Sequence, residues 1–567
     1  MADSKREIER KYEATEETRL PDLSRVAGVS AVVPQGVGEL DAVYYDTEDL
    51  RLAAASITLR RRTGGDDAGW HLKFPVASDI RDELREPLSD TLPRSLAGLL
   101  RSRVRDGALV PVVRLRTARD VHHLTGADGE PLAEVCVDTV RAERLIGGGL
   151  ERPAGGETGR RPGDGGDAGR RPGSGGTAAW TEVEVELADG ADPALLDAVE
   201  RPLREAGLRP SAASSKVARA LAETEPGDGR ATGGGRGAGD GRGAEDERAA
   251  RQSSRKDTSD AGNGPGTPKE AGRVTAGDHV LAYLRAQTEA IVALDPAVRR
   301  DLPDSVHRMR VATRRFRSAL RTYRKILDRG VTDPIGDELK WLATELGIDR
   351  DQEVLDARLR AGLDSLPRTL VLGPAPARLR IWSGARRGGS RRRTVAVLDD
   401  DRYLALLNRL DALLADPPLR SAASHAPGRA LPRAVLKEYG RLAARVGRAL
   451  ELPPGHDRDL ALHDARKAAK RARYAADAAR PALGRPAQRF ASRMKAVQTL
   501  LGDHQDSVVA RDALRTLAAQ AHAAGEPGFT WGLLYGREEA TAAEEERQLP
   551  GVWGRAAKPK VRKALKG

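Results

Sequence analysis

Cysteine is almost absent. Cys136 is the only one in 567 residues, which excludes an internal disulfide and fits a reducing compartment. No charged-then-apolar leader opens the chain, so the cytoplasm is the expected address. Long apolar runs are missing too, and none approaches the roughly 20 residues that would span a bilayer, so no membrane insertion is expected. Aromatic residues make up 3% of the chain, a poor supply of the stacking rings on which single-strand nucleic-acid binders rely. Acids are lacking locally: between Ser305 and Leu327 there is no Asp or Glu, while Val306–Lys325 holds eight Arg or Lys residues and one His.

What is present is positive charge. Ninety-five Lys and Arg against 83 Asp and Glu leave a net charge of +12, which favours an anionic partner without choosing among nucleic acid, anionic lipid and polyphosphate. A chain of this length is expected to hold two or more domains. Glu223–Gly272 is rich in Gly, charge and small polar residues and nearly free of large apolar ones, which reads as a disordered linker. Gly147–Gly176 has the same composition but is followed by a clear strand, so it reads as a loop inserted into a domain. The expected division is a β-rich module over residues 1–222, the linker, a helical module over 273–555 and a basic tail over 556–567.

Before the linker, alternating runs such as "EIERKYE", "SITLRRR", "WHLKFPV", "LAEVCVDTV" and "WTEVEVEL" signal antiparallel strands. Period two places Glu7, Glu9 and Lys11 on one face of a strand, and Glu182, Glu184 and Glu186 on one face of another. Arg60 aligns with Arg62, and Lys73, Arg114, Arg116, Arg119 and Lys216 add further cations. Single strands of this kind usually turn their charged face to solvent. If the sheet closes into a barrel, the same faces could point inward, where carboxylates hold a divalent ion and Arg or Lys grips phosphate.

"EIERK" resembles the N-terminal signature of CYTH domains, the triphosphate tunnel metalloenzymes. "YYDT", "LRRR", "LKFP", "RTAR", "VDTV" with Asp138, the Glu-rich strand and "SSK" follow in the family's order. The resemblance implies an eight-stranded antiparallel tunnel. Glu7, Glu9, Asp138, Glu182, Glu184 and Glu186 would bind Mg²⁺ or Mn²⁺, and Lys11, Arg60, Arg62, Lys73, Arg116, Arg119 and Lys216 would hold a triphosphate. Catalytic roles fall to Glu7, Glu9 and Lys11. It leaves open whether the substrate is inorganic triphosphate, a short polyphosphate, ATP as in an adenylate cyclase, or thiamine triphosphate.

After the linker, Ala/Leu/Arg segments at helical spacing dominate, and one of them recurs. "HRMRVATRRFR" matches "HDARKAAKRAR", pairing His307 with His463, Arg310 with Arg466, Arg314 with Lys470, Arg315 with Arg471 and Arg317 with Arg473. Downstream, Lys340 falls opposite Lys495, Leu346-Gly347 opposite Leu501-Gly502, and Asp351 opposite Asp506. Two pseudo-symmetric helical bundles are expected. His307, Arg310, Arg314, Arg317 and Arg321 step by three and four, forming one stripe that no nearby acid relieves.

These residues resemble the CHAD domain, a conserved-histidine α-helical module. That resemblance implies a basic cavity for inorganic polyphosphate, held by His307, Arg310, Arg314, Arg317, Arg321 and Lys340 and by His463, Arg466, Lys470, Arg473 and Lys495. The reading that follows is a multidomain α+β protein, a metal-dependent triphosphatase joined to a polyphosphate binder. An idle tunnel on a protein that targets polyphosphate granules is the alternative, and nucleic acid is not expected as the specific ligand. Nothing in the sequence fixes the oligomeric state.

Overall fold

The computed structural model describes residues 3–145, 176–225, 274–387 and 390–566. The insertion at Gly147–Gly176, save Gly176 itself, and the linker beyond Glu225 lie outside the described residues. Two compact units form, one from Met1–Pro93 with Gly107–Gly272 and one from Arg94–Asp106 with Arg273–Gly567.

In the first unit, β1 (Asp3–Ala14), β2 (Ala31–Asp46), β3 (Thr58–Thr63), β4 (Gly69–Ala77), β5 (Ile80–Pro87), β6 (Val110–Thr125), β7 (Pro131–Arg144) and β8 (Thr177–Leu187) are ordered β5-β4-β3-β2-β6-β7-β8-β1. A β5–β1 pairing closes the ring. β1 achieves this by changing neighbours along its length: Asp3–Ile8 pair with β5 and Glu9–Ala14 with β8. The two-residue strand Arg209–Pro210 and the Asp79 carbonyl, which accepts from the Glu9 amide at 2.9 Å, cover β1 where β5 has ended. Alternation then sorts the side chains. Tyr12, Val135, Val183 and Val185 face outward into a core capped by Leu195, Val199 and Leu203 of the helix Ala194–Glu205, so the charged rows are left on the inside.

The helix α1 (Lys216–Glu223) closes one side of this unit. The Ser215 side chain accepts from the Ala218 amide at 3.2 Å and fixes its start. Val217, Ala220 and Leu221 pack against Val113, Val140 and Trp180.

The second unit is helical. Its framework includes α2 (Ala276–Arg299), α3 (Ser305–Thr322), α4 (Arg329–Glu345), α5 (Gly347–Asp364), α6 (Pro427–Glu451), α7 (His456–Ala523) and α8 (Phe529–Ala556). α7 is broken at Gly484, whose φ of 59° and ψ of −137° are open to glycine and strained for other residues. The helix Arg94–Val104 joins this unit, with Ser102 donating to the Val292 carbonyl at 3.2 Å. Met309, Phe316 and Leu320 of α3 share one core with Ala465, Ala468, Ala472 and Ala475 of α7. Both basic helices of the repeat therefore rest on the same core, and the small alanines let them approach closely. Tyr323 locks the pair by donating to the Ala475 carbonyl at 2.7 Å. Among the described residues no helix is long and apolar enough to cross a membrane.

Candidate functional site

The strand register carries the charged residues into one cavity of about 590 Å³. Lys11 stands opposite Glu184, Asp138 opposite Glu182, Arg119 opposite Asp138, Lys73 opposite Glu83 and Tyr44 opposite Arg60. Glu7, Glu83 and Asp138 are each at most 1% exposed, so their charges depend on neighbours.

Two nests result. In the first, the Lys216 ammonium lies 2.9 Å from Asp138, 2.7 Å from Glu182 and 2.6 Å from Glu184. Arg119 donates two bonds to Asp138, at 2.8 and 2.6 Å, and one to Glu184 at 2.8 Å. Lys11 donates to Glu184 and lies 3.1 Å from Glu9. Burial alone would raise the Glu184 carboxyl, but Lys11, Lys216 and Arg119 hold it well below its ordinary value. The second nest joins Lys73 to Glu7 at 2.6 Å and to Glu83 at 3.5 Å, with Arg60 3.8 Å from Glu83. Here burial prevails over Lys73, and with Glu83 and Glu186 nearby it pushes Glu7 up to about 7. Lys5 holds Glu186 at 2.5 Å, and Arg62 pairs with Asp67.

Asp138, Glu182 and Glu184 each turn one oxygen to within 4.8 Å of the others, and all three are buried. An oxygen-only set that already surrounds one cation, the Lys216 ammonium, fits a hard divalent ion.

Arg116 does not reach the cavity, contrary to the expectation that it holds triphosphate. Its side chain is 59% exposed and its nearest acid, Asp41, is 3.9 Å away. Three residues from Arg119 on a strand of period two, it must face the other way. Arg114 likewise turns outward to Asp41, at 2.9 and 3.1 Å. Lys5, Tyr44, Arg81, Glu83 and Arg85 were not anticipated but line or face the cavity. The alternating "RDELRE" of β5 is the signal that could have found three of them.

In the second unit, the two copies of the basic motif converge. Arg310 of α3 binds Asp351 at 2.8 and 3.1 Å, and Arg466 of α7 faces Asp506 at 3.4 Å. The repeat thus places the same pair twice. The first "LG" glycine leaves room for the pair, since a Cβ on Gly347 would come within 2.9 Å of the Arg310 guanidinium; at Gly502 the distance to Arg466 would be 3.5 Å, an ordinary contact. Between the tethered arginines stand Arg314 and Lys470, which make no ion pair among the described residues. Burial, then Arg314, Arg466 and Arg310, push Lys470 down to about 7. Burial with Arg310 and Arg466 nearby also lowers Arg314.

Other residues of the expected set are placed differently. Arg317 donates to the Gly336 carbonyl at 3.1 Å, while Arg321 and His307 are exposed. His463 is half-buried and is lowered by burial and Lys467. Arg473 lies over Tyr474 at 4.8 Å and near Asp477 at 3.7 Å, and Arg471 turns to Glu438 at 3.4 Å. Lys340 is exposed, and Lys495 opens onto a separate hollow with Asp503 and Arg555.

A closed ring with acids and bases on its inner face, followed by a helical unit with a duplicated basic face, defines a two-domain protein of the tunnel class. The chain belongs to the CYTH and CHAD families, the CYTH domain matching residues 5–221 and the CHAD domain residues 282–515. An uncharacterized protein of Mycobacterium tuberculosis H37Rv is 38% identical over 569 aligned residues, covering 98% of this chain and 97% of the relative. Among solved structures, PptA from Streptomyces chartreusis is 21% identical with a TM-score of 0.43, covering 49% of this chain and 99% of its own. The CHAD domain from Ricinus communis is 24% identical with a TM-score of 0.40, covering 50% and 92%. A putative adenylyl cyclase from Hippeastrum, described as having a dominant triphosphatase activity, is 17% identical with a TM-score of 0.20, covering 38% and 95%. CYTH domains are a metal-dependent family of triphosphatases and cyclases, and the two families are associated with triphosphate and polyphosphate binding.

Proposed function

We propose that the tunnel is a Mg²⁺- or Mn²⁺-dependent phosphoanhydride hydrolase acting on inorganic triphosphate or short polyphosphate, and that the helical unit binds inorganic polyphosphate. The observation that carries the enzyme reading is one cavity lined by Glu7, Glu9 and Glu184 together with Lys11, Arg60, Lys73 and Arg119, with Asp138 and Glu182 behind its wall against Lys216. Phosphate needs cations with directed donors, and arginine forks and ammonium groups supply them.

Asp138, Glu182 and Glu184 would hold the metal, which supplies charge neutralisation at the phosphoryl oxygens when bound. Arg60, Lys73 and Arg119 would orient the terminal phosphoryl group. Glu7, with its carboxyl near 7, can take the proton of a water that attacks the terminal phosphorus. The new P–O bond replaces the bridging P–O bond, giving phosphate and a chain shorter by one. Lys11 and Glu9 complete the inner wall beside Glu184.

A second reading, an idle tunnel on a granule-bound protein, finds support in Lys216, whose ammonium already balances the acid nest. One screen separates them. Phosphate release is measured from triphosphate, ATP, thiamine triphosphate and long-chain polyphosphate, with Mn²⁺, with Mg²⁺ and with chelator. Release from triphosphate that chelation abolishes supports the hydrolase; no release from any substrate with either metal favours the idle tunnel.

Lys470 gives the helical unit a pH signature. With its free-state value near 7, it is neutral at about pH 8, and a polyanion restores the ammonium, so binding takes up a proton. Affinity should be flat below about 7 and fall as the pH rises above it. Calorimetry in two buffers of different ionisation enthalpy reads the uptake, and Lys470→Arg should flatten the profile. Proton-neutral binding at about pH 8 would remove Lys470 from the site.

A further inference from the structure

The basic face does not end with the duplicated motif. α6 lies before the second basic helix as α2 lies before the first, yet the two differ in charge. α2 carries Asp278, Glu289 and Asp295 against Arg285 and Arg299. α6 carries six Arg or Lys residues against Glu438 and Glu451. Steps of four and three put Arg433, Lys437, Arg441, Arg445 and Arg448 on one flank, while Leu431, Val435, Leu442 and Val446 face the core. From Arg433 to Arg448 this flank runs about 22 Å.

Two observations place it beside the two basic helices. Glu438 of α6 lies 3.4 Å from Arg471 of α7 and accepts from Arg441 of its own helix, and the charges of Arg445 of α6 and Arg321 of α3 both act on Arg471. Lys437 is flanked by Arg324, Arg441 and Lys325, the first and last lying just beyond α3. Glu438 is 2% exposed and already shared between Arg441 and Arg471, so it neutralises little of the flank. Arg433, Lys437, Arg445 and Arg448 make no ion pair among the described residues. Tyr439, the flank's aromatic neighbour, is buried against Trp553, with ring centroids 5.7 Å apart. No base-stacking platform is offered there.

Building on the polyphosphate reading of the central cluster, we propose that the basic flank of α6 is a one-sided extension of that site, which engages polyphosphate chains too long for Arg310, Arg314, Arg466 and Lys470 alone. Because α2 has no matching flank, a long chain leaves the pseudo-symmetric centre on the α6 side. The repeat supplies a symmetric grip and α6 breaks the symmetry.

The test compares triphosphate with a long-chain polyphosphate in binding titrations on the full chain, wild type and the triple variant Arg433→Ser/Lys437→Ser/Arg448→Ser. These side chains are exposed and hold no buried acid, and a thermal melt checks that the variant folds. Long-chain affinity should fall about tenfold, and the slope of log affinity against log salt should lessen by about 2, with triphosphate binding changed less than about twofold. Equal long-chain affinity and salt slope in both proteins overturns the extension while leaving the central site standing. Failure of the wild type to bind long chains overturns the polyphosphate reading itself. Displacement of long polyphosphate by a single-stranded oligonucleotide at equal phosphate concentration overturns the ligand class.

Discussion

Glu184→Gln should lower kcat/KM for triphosphate by about 10³-fold while leaving polyphosphate binding by the helical unit intact. Glu184 is the acid on which the first nest converges, shared by Lys11, Lys216 and Arg119. An amide keeps the shape but removes a charge that those three cations need, and takes one oxygen from the candidate metal set. Phosphate release under saturating Mn²⁺ measures the effect. A fall of less than about threefold would show that the acid nest is architecture and that the chemistry lies elsewhere.

Arg314→Gln/Lys470→Met should weaken polyphosphate binding by about 100-fold and at the same time raise the melting temperature. The two signs have one cause. Arg314 and Lys470 sit half-buried beside Arg310 and Arg466 without ion pairs among the described residues, so the folded state with Lys470 charged carries a repulsion that a bound anion relieves. Neutral side chains of similar length remove the repulsion and the ligand's partners together. Binding titration and thermal melting on the same sample read both. Lost affinity with a lowered melting temperature would instead make these residues part of the scaffold.

Much of this was legible because periodicity is local. Alternation in "EIERKYE" and "TEVEVEL" fixed which residues share a face, and the repeat between His307 and His463 aligned residues that make equivalent contacts, Arg310 with Asp351 and Arg466 with Asp506. What local patterns could not show is which strand lies across the ring. Glu83 faces Lys73 only because β4 and β5 pair in that register, and nothing in "RDELRE" names its partner. The resemblance assigns Arg116 and Arg119 together to the triphosphate, yet residues three apart on a strand face opposite ways. Lys340 and Lys495 matched as a pair, yet a helical match fixes only position along the axis, and Lys495 opens onto another hollow. The α6 flank was invisible for a different reason: without a second copy or a histidine it looks like any solvated helix face, and only its position against Arg321 and Arg471 gives it meaning.

The closure of β1 on both β5 and β8 bears on the order of events in catalysis. Where its strands pair on both sides the wall gives a chain no sideways entry, and a linear polymer that comes in by the mouth leads with one terminus. On the proposed reading, cleavage is then exolytic, shortening chains stepwise.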